Sequence, residues 1–73
     1  GVIDLAFREG DSWVLVDYKS DRVGNDPDQA EQTLRARYAA QLAAYTEAWE
    51  QVTGQKVIEC ALLLTHYDRY VTL

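Results

Sequence analysis

Asp17 and Lys19 stand two residues apart where the apolar run Val14-Leu15-Val16 ends. A β-branched run that stops abruptly at charge reads as a buried strand whose last residues leave the core. Side chains alternate between the faces of a strand, so Asp17 and Lys19 project from one face and Tyr18 from the other. A carboxylate beside an ammonium is, alone, an ordinary ion pair at a strand end. A second carboxylate changes its meaning. Asp4 lies in the strand-like stretch 2–7, and Arg8-Glu9-Gly10-Asp11-Ser12 suits a hairpin whose two loop residues are Gly10 and Asp11. Pairing Glu9 with Ser12 and counting outward sets Asp4 directly opposite Asp17. Opposed residues share a face with Cβ atoms about 4.5–5.5 Å apart, where like charges destabilise the ladder. A cation between them removes that penalty. A slip of one residue would send the apolar set to the wrong face.

The chemistry this trio supports is hydrolysis of a phosphodiester. Hard divalent cations such as Mg²⁺ or Mn²⁺ take oxygen ligands, and Mg²⁺ typically uses one or two carboxylates together with waters and substrate phosphate. Such a cation lowers the pKa of its water. Lys19 would orient or help deprotonate that water, or stabilise charge developing on the phosphate. No Gly-rich phosphate loop, paired Cys/His ligands or Ser-His-Asp arrangement competes with this reading. His66, the one histidine, falls in a polar loop and is left out of the site.

Several elements must position these residues. The hairpin ends in a polar loop over 20–25. Asn25 or Asp26 then caps a helix that has Pro27 at its first position and Asp28 in its first turn. The chain is rich in helix formers as far as Thr53, although 28–33 carries little apolar periodicity. Leu34, Tyr38, Leu42, Tyr45, Trp49 and Val52 recur at spacings of three and four and form one apolar stripe. Gly54 ends the helix. Gln41 borders the stripe between Tyr38 and Tyr45, and spacing alone leaves open whether these three are core and boundary residues or present polar tips to a ligand. The near-continuous apolar run 57–64 reads as a strand covered on both faces, laid parallel to the Asp17 strand by a right-handed crossover. Residues 65–69 form a loop, and 70–73 return as an antiparallel edge strand. The fold class is therefore α/β with a mixed sheet: a β-hairpin, a long helix, a strand and an edge strand.

Composition narrows the function. Seventy-three residues with 48% hydrophobic content form one small domain, which buries only about 60% of its unfolded surface. The net charge of −5 argues against a stand-alone nucleic-acid binder, which carries a basic patch. It leaves room for a metal site built from carboxylates. The single Cys60 cannot form an internal disulfide, hold zinc or bind an iron–sulfur cluster alone, and reads as a small buried hydrophobe in a reducing compartment. No apolar run has the length of a membrane span and no signal peptide is visible. The chain starts at Gly1 inside a strand-like run and ends in another, which reads as a fragment truncated at both ends.

Three stretches in order carry a family resemblance: Gly1-x-Ile3-Asp4, then Asp17-Tyr18-Lys19-Ser20-Asp21, then Tyr38-x-x-Gln41-Leu42-x-x-Tyr45. Together they resemble the RecB-like branch of the PD-(D/E)XK nucleases, and within it the C-terminal nuclease domain of AddA-type helicase–nuclease subunits. The resemblance implies a partial restriction-endonuclease-like core. It implies that Asp4, Asp17 and the backbone carbonyl of Tyr18 are ligands of Mg²⁺ or Mn²⁺, and that Lys19 is the catalytic lysine. It implies that Gln41 and Tyr45 lie on a helical motif that positions the site and the DNA. It also implies an upstream helix that contributes a further acidic or His ligand, so that the chain alone would bind metal weakly and cut DNA poorly.

The function expected is that of a metal-dependent DNA exonuclease domain within an ATP-driven helicase–nuclease. Such a protein repairs and recombines double-strand breaks in the bacterial cytoplasm, with DNA as its substrate and, for a partner, a second nuclease/helicase subunit. The alternatives are an inactive nuclease-fold interaction module and a stand-alone or CRISPR-associated exonuclease of the same branch. Retention of two opposed carboxylates speaks against the inactive module.

Overall fold

A computed structural model describes residues 3–73. It contains β1 (Leu5–Glu9), β2 (Ser12–Lys19), α1 (Pro27–Thr53), β3 (Lys56–Leu64) and β4 (Arg69–Thr72). The strands form one four-stranded sheet in the order β1-β2-β3-β4. This is the mixed α/β architecture expected, and it is consistent with a restriction-endonuclease-like fold.

β1 and β2 are antiparallel, with Glu9 paired to Ser12 and Leu5 to Val16, so the hairpin turns at Gly10 and Asp11 in the expected register. Gly10 adopts φ +61, a left-handed value that favours glycine. The first strand is shorter than the sequence suggests. Ile3 and Asp4 precede it, and Val2, the first residue of the expected strand, lies outside the described residues.

β2 and β3 are parallel, with Asp17 beside Leu62 and Lys19 beside Leu64. α1 supplies the crossover between them. The pairing passes from Trp13–Val57 to Val14–Glu59, leaving Ile58 as an extra residue in β3. Cover on both faces, expected for all of β3, holds for Ala61, Leu62 and Leu64 but not for Ile58, which is exposed. The bulge frees it from the ladder near the sheet's end. β4 returns antiparallel to β3 and forms an edge, as expected.

α1 begins where the sequence places it. Asp26 is the N-cap and its side chain accepts from the Asp28 N–H, Pro27 occupies the first turn, and Gly54 closes the helix at φ 69. Its first turns are continuous with the rest, and Ala30 there is fully buried. That small contact is too isolated to create a visible period. Leu34 and Leu42 of the stripe enter the core with Leu62, Leu64 and Val71, and Tyr38 and Tyr45 pack against it. Val52 does not. It is 87% exposed. The end of α1 meets the start of β3, where the Val57 N–H donates to Glu50 Oε2 at 2.8 Å, but Val52 lies beside Ile3, Tyr45, Ala48 and Trp49 along an open apolar groove and stays outside the core. The same end is tied down differently. The Trp13 ring meets Trp49 edge-on at 5.2 Å, and its Nε1–H donates to Gln55 Oε1 at 2.8 Å.

Because α1 covers one face of the sheet, it decides which residues of β2 become sheltered. The alternation puts Trp13, Leu15, Asp17 and Lys19 on the helix side. Tyr18 points away and is exposed.

Candidate active site

The hydrophobic strand β2 carries Asp17 into the interior, where its residue surface is 3% exposed. Asp17 is the one charged or polar residue among those fully buried in the described residues. A buried carboxylate is costly unless it is paired. Lys19 supplies one partner, with Nζ 3.1 Å from Asp17 Oδ2.

Asp4 supplies the second feature. Extending the ladder one step past Leu5–Val16 brings it opposite Asp17. Instead of continuing the strand, it turns its side chain to accept a hydrogen bond from the backbone N–H of Tyr18 at 2.9 Å. That bond, together with one shared with Asp17, holds the Asp4 carboxyl below its ordinary value. Burial pushes Asp17 the other way, helped by the hydrogen bond with Asp4 and opposed by Lys19. Two carboxyls close enough to share a proton titrate as a pair, with the charge resting on Asp4 and the proton staying longer on Asp17. Burial pulls Lys19 down, but the hydrogen bond and charge of Asp17 outweigh it, and its value ends raised. Lys19 is therefore an ammonium.

The far side of Lys19 rests on α1. Its Nζ lies 4.3 Å from the centroid of the Tyr38 ring. The Tyr38 hydroxyl donates to Asp21 Oδ2 at 2.6 Å, and Arg37 pairs with the same oxygen at 3.0 Å. These bonds to Tyr38 and Arg37 hold the Asp21 carboxyl below its usual range. Asp21 and Arg37 carry no spacing signal, because loop and helix meet only in the folded chain. Asp21 was visible only as the last residue of the Asp17–Asp21 stretch.

The loop after β2 is fixed from β4's side of the sheet. The Tyr67 hydroxyl accepts from the Val23 N–H and donates to the Gly24 carbonyl, each at 2.7 Å. The Lys19 carbonyl accepts from the Thr65 N–H at 3.0 Å. Arg69 crosses to the start of α1, bonding Asp28 at 2.7 Å and Glu31 at 3.4 Å.

Of the residues singled out in the sequence, Asp4, Tyr18, Asp17 and Lys19 come together. Gln41 and Tyr45 follow Tyr38 along α1 and bond to each other, with Gln41 Nε2 donating to the Tyr45 hydroxyl at 3.3 Å. Among the described residues, neither is hydrogen-bonded to Asp4, Asp17 or Lys19. His66 sits in the β3–β4 turn with its ring edge-on to Tyr67, apart from the site. A cleft of about 550 Å³ between α1 and β3 has Cys60 on its wall but none of the acidic pair or Lys19; it is not the site.

The donor set fits a hard cation. Two carboxylates and a strand carbonyl are oxygen ligands, the kind Mg²⁺ and Mn²⁺ prefer. In a strand, a residue's C=O leaves on the same edge as its N–H, so the Tyr18 carbonyl points toward the edge Asp4 occupies. Among the described residues, no third Asp, Glu, His or Cys joins the two carboxylates.

Known proteins resemble the chain over nearly its whole length. The model of the PD-(D/E)XK nuclease superfamily matches residues 1–69. An ATP-dependent helicase/nuclease subunit of Alkaliphilus oremlandii is 44% identical over 73 residues, covering 100% of this chain and 6% of that protein. The subunit of the same name from Alkaliphilus metalliredigens is 48% identical over 71 residues, 97% of this chain and 6% of that protein. That of Heliobacterium modesticaldum is 43% identical over 75 residues, 100% of this chain and 5% of that protein. The chain thus spans about a twentieth of the length of the curated relatives it matches.

Proposed function

The chain belongs to the PD-(D/E)XK nuclease superfamily, and from that premise we propose that it is the metal-binding core of a DNA exonuclease domain. In this reading the whole protein is a bacterial, cytoplasmic helicase–nuclease that works with a second nuclease/helicase subunit on double-strand breaks. The observation that carries the proposal is the meeting of Asp4, Asp17 and Lys19 at one strand end. A buried carboxylate, a second carboxylate bonded to the adjacent amide and an ammonium at 3.1 Å make an arrangement that stability alone does not favour.

Asp4, Asp17 and the Tyr18 carbonyl are the residues that would hold Mg²⁺ or Mn²⁺, which when bound polarises water and phosphate as a Lewis acid. The sheltering of Asp17 under α1 lowers the local dielectric and strengthens every charge interaction there. Lys19 donates to the attacking water or to the phosphate oxygens. The water oxygen bonds to phosphorus and gives a proton to surrounding water, the phosphorus–oxygen bond to the leaving sugar breaks and that oxygen takes up a proton from solvent, and Lys19 steadies the negative charge that develops. Gln41 and Tyr45 offer an amide and a phenol along α1 to position the DNA.

The test is cleavage of linear duplex DNA by the full-length protein with Mg²⁺. Asp17→Ala and Lys19→Ala each lower the rate by about 10²- to 10⁴-fold, the scale of a lost acid–base or charge-stabilising group. Undiminished cleavage in both variants would sink the assignment.

A further inference from the structure

Lys19 has four rotatable bonds, and one ion pair does not fix where its ammonium sits. The ion pair with Asp17 holds it from one side at 3.1 Å. The Tyr38 ring holds it from another, its centroid 4.3 Å from Nζ, well inside the roughly 6 Å range of a cation–π contact. Tyr38 is itself held. Its hydroxyl donates to Asp21 at 2.6 Å, and Arg37 clamps the same carboxylate oxygen at 3.0 Å. A tyrosine serving only to fill the core would need no carboxylate at its tip.

We propose that Tyr38 is a positioning residue that fixes the Lys19 ammonium beside the acidic pair, with Asp21 as the anchor that fixes the ring. The inference rests on Lys19 being the catalytic lysine. Its physical content is that two contacts from different directions define a point, whereas the Asp17 contact alone lets Nζ swing around the carboxylate. The need would be greater with a cation bound, because Asp17 would share its oxygens between the cation and Lys19. The ring would hold the ammonium without competing for that cation, because an aromatic face offers no ligand to a hard metal. Asp21 sits on the loop directly after β2, so the anchor and the lysine move together. Tyr38 reaches them from α1, and the contact couples the helix carrying Gln41 and Tyr45 to the strand carrying the acidic residue.

The experiment measures steady-state cleavage of linear duplex DNA by the full-length protein, together with DNA affinity in EDTA and thermal melting. Tyr38→Leu keeps apolar bulk but removes the ring face, and kcat falls about tenfold with KM and DNA affinity unchanged. Tyr38→Phe keeps the face and stays within about threefold of wild type, and Asp21→Ala, which frees the ring tip, also falls by about threefold. Wild-type kcat in Tyr38→Leu beside an inactive Lys19→Ala overturns the inference and leaves the assignment of Lys19 standing. Full activity in Lys19→Ala overturns both. Equal losses in Tyr38→Phe and Tyr38→Leu, or losses that track the melting temperature, mean that Tyr38 acts through general stability and also overturn it.

Discussion

The backbone N–H of Tyr18 donates to Asp4 Oδ2 at 2.9 Å. This single bond joins two residues fourteen apart in the chain and does two things at once. It holds Asp4 against the strand that carries Asp17, and it lowers the Asp4 carboxyl so that the negative charge of the pair resides there. Asp4→Asn can still accept the amide but carries no charge. A Mn²⁺ titration should then show weaker binding, by at least about tenfold, a loss that even outer partners of metal ligands produce. Equal affinity in the two proteins would remove Asp4 from the ligand set.

Asp17 gives a pH dependence of stability. Its folded value is raised above 3.8 by burial and by Asp4. Folding therefore favours the protonated form, and the contribution present below the unfolded value is lost as pH rises through the folded one. Asp4 has the opposite sign: its contribution is present above 3.8 and lost as pH falls through its lowered value. In EDTA, Asp17→Asn should gain on wild type in urea denaturation as pH rises above the unfolded value of 3.8. Adding Mg²⁺ should narrow or reverse that gap, since ligand binding stabilises only the protein that holds it. A gap that closes with rising pH in EDTA would contradict the sign.

Tyr67 gives a prediction about the loop. Its hydroxyl is bonded on both sides, to the Val23 amide and the Gly24 carbonyl. Tyr67→Phe leaves both without their partner, at a cost of about 1–2 kcal/mol. Proteolysis within 20–25 should rise with the loss of stability measured by denaturation.

The two ends of the helix stripe should behave differently on truncation. Leu42 is buried, so Leu42→Ala should cost about 2–5 kcal/mol, whereas the exposed Val52→Ala should stay within about 0.5 kcal/mol. Comparable losses at both positions would mean that the end of α1 is covered.

Tyr70 offers a spectroscopic check on β4. A hydrogen bond to Glu59, with burial added, pushes its phenol up to about 12. In an ultraviolet titration, one tyrosine should ionise near that pH in wild type, and Glu59→Gln should bring it back toward about 10. No change on that substitution would break the assignment of the pair.

How much was legible beforehand depends on how local each signal is. The hairpin register was readable because two turn residues and the two-residue alternation leave one pairing that buries the apolar set. That register set Asp4 one step past the ladder, opposite Asp17, and the bond from the Tyr18 amide fixed its side chain there. The helix start was readable from Asp26-Pro27, since capping is a contact between neighbours in sequence. Ile58 and Val52 depart from expectation for the converse reason: a bulge in the ladder and an uncovered side of the helix are settled only where elements meet in space.

The sequence by itself determined the strand faces, the register, the helix ends and the pairing of Asp17 with Lys19, because each follows from steric periods within a few residues. Tertiary structure decided which face α1 covers, and so that Asp17 is buried while Tyr18 is not. It also decided that Tyr38, Asp21 and Arg37 converge on Lys19. A whole loop and the first turns of α1 separate Lys19 from Tyr38, and no spacing rule reaches across them. Only packing the helix on the sheet brings an aromatic face to 4.3 Å from the ammonium.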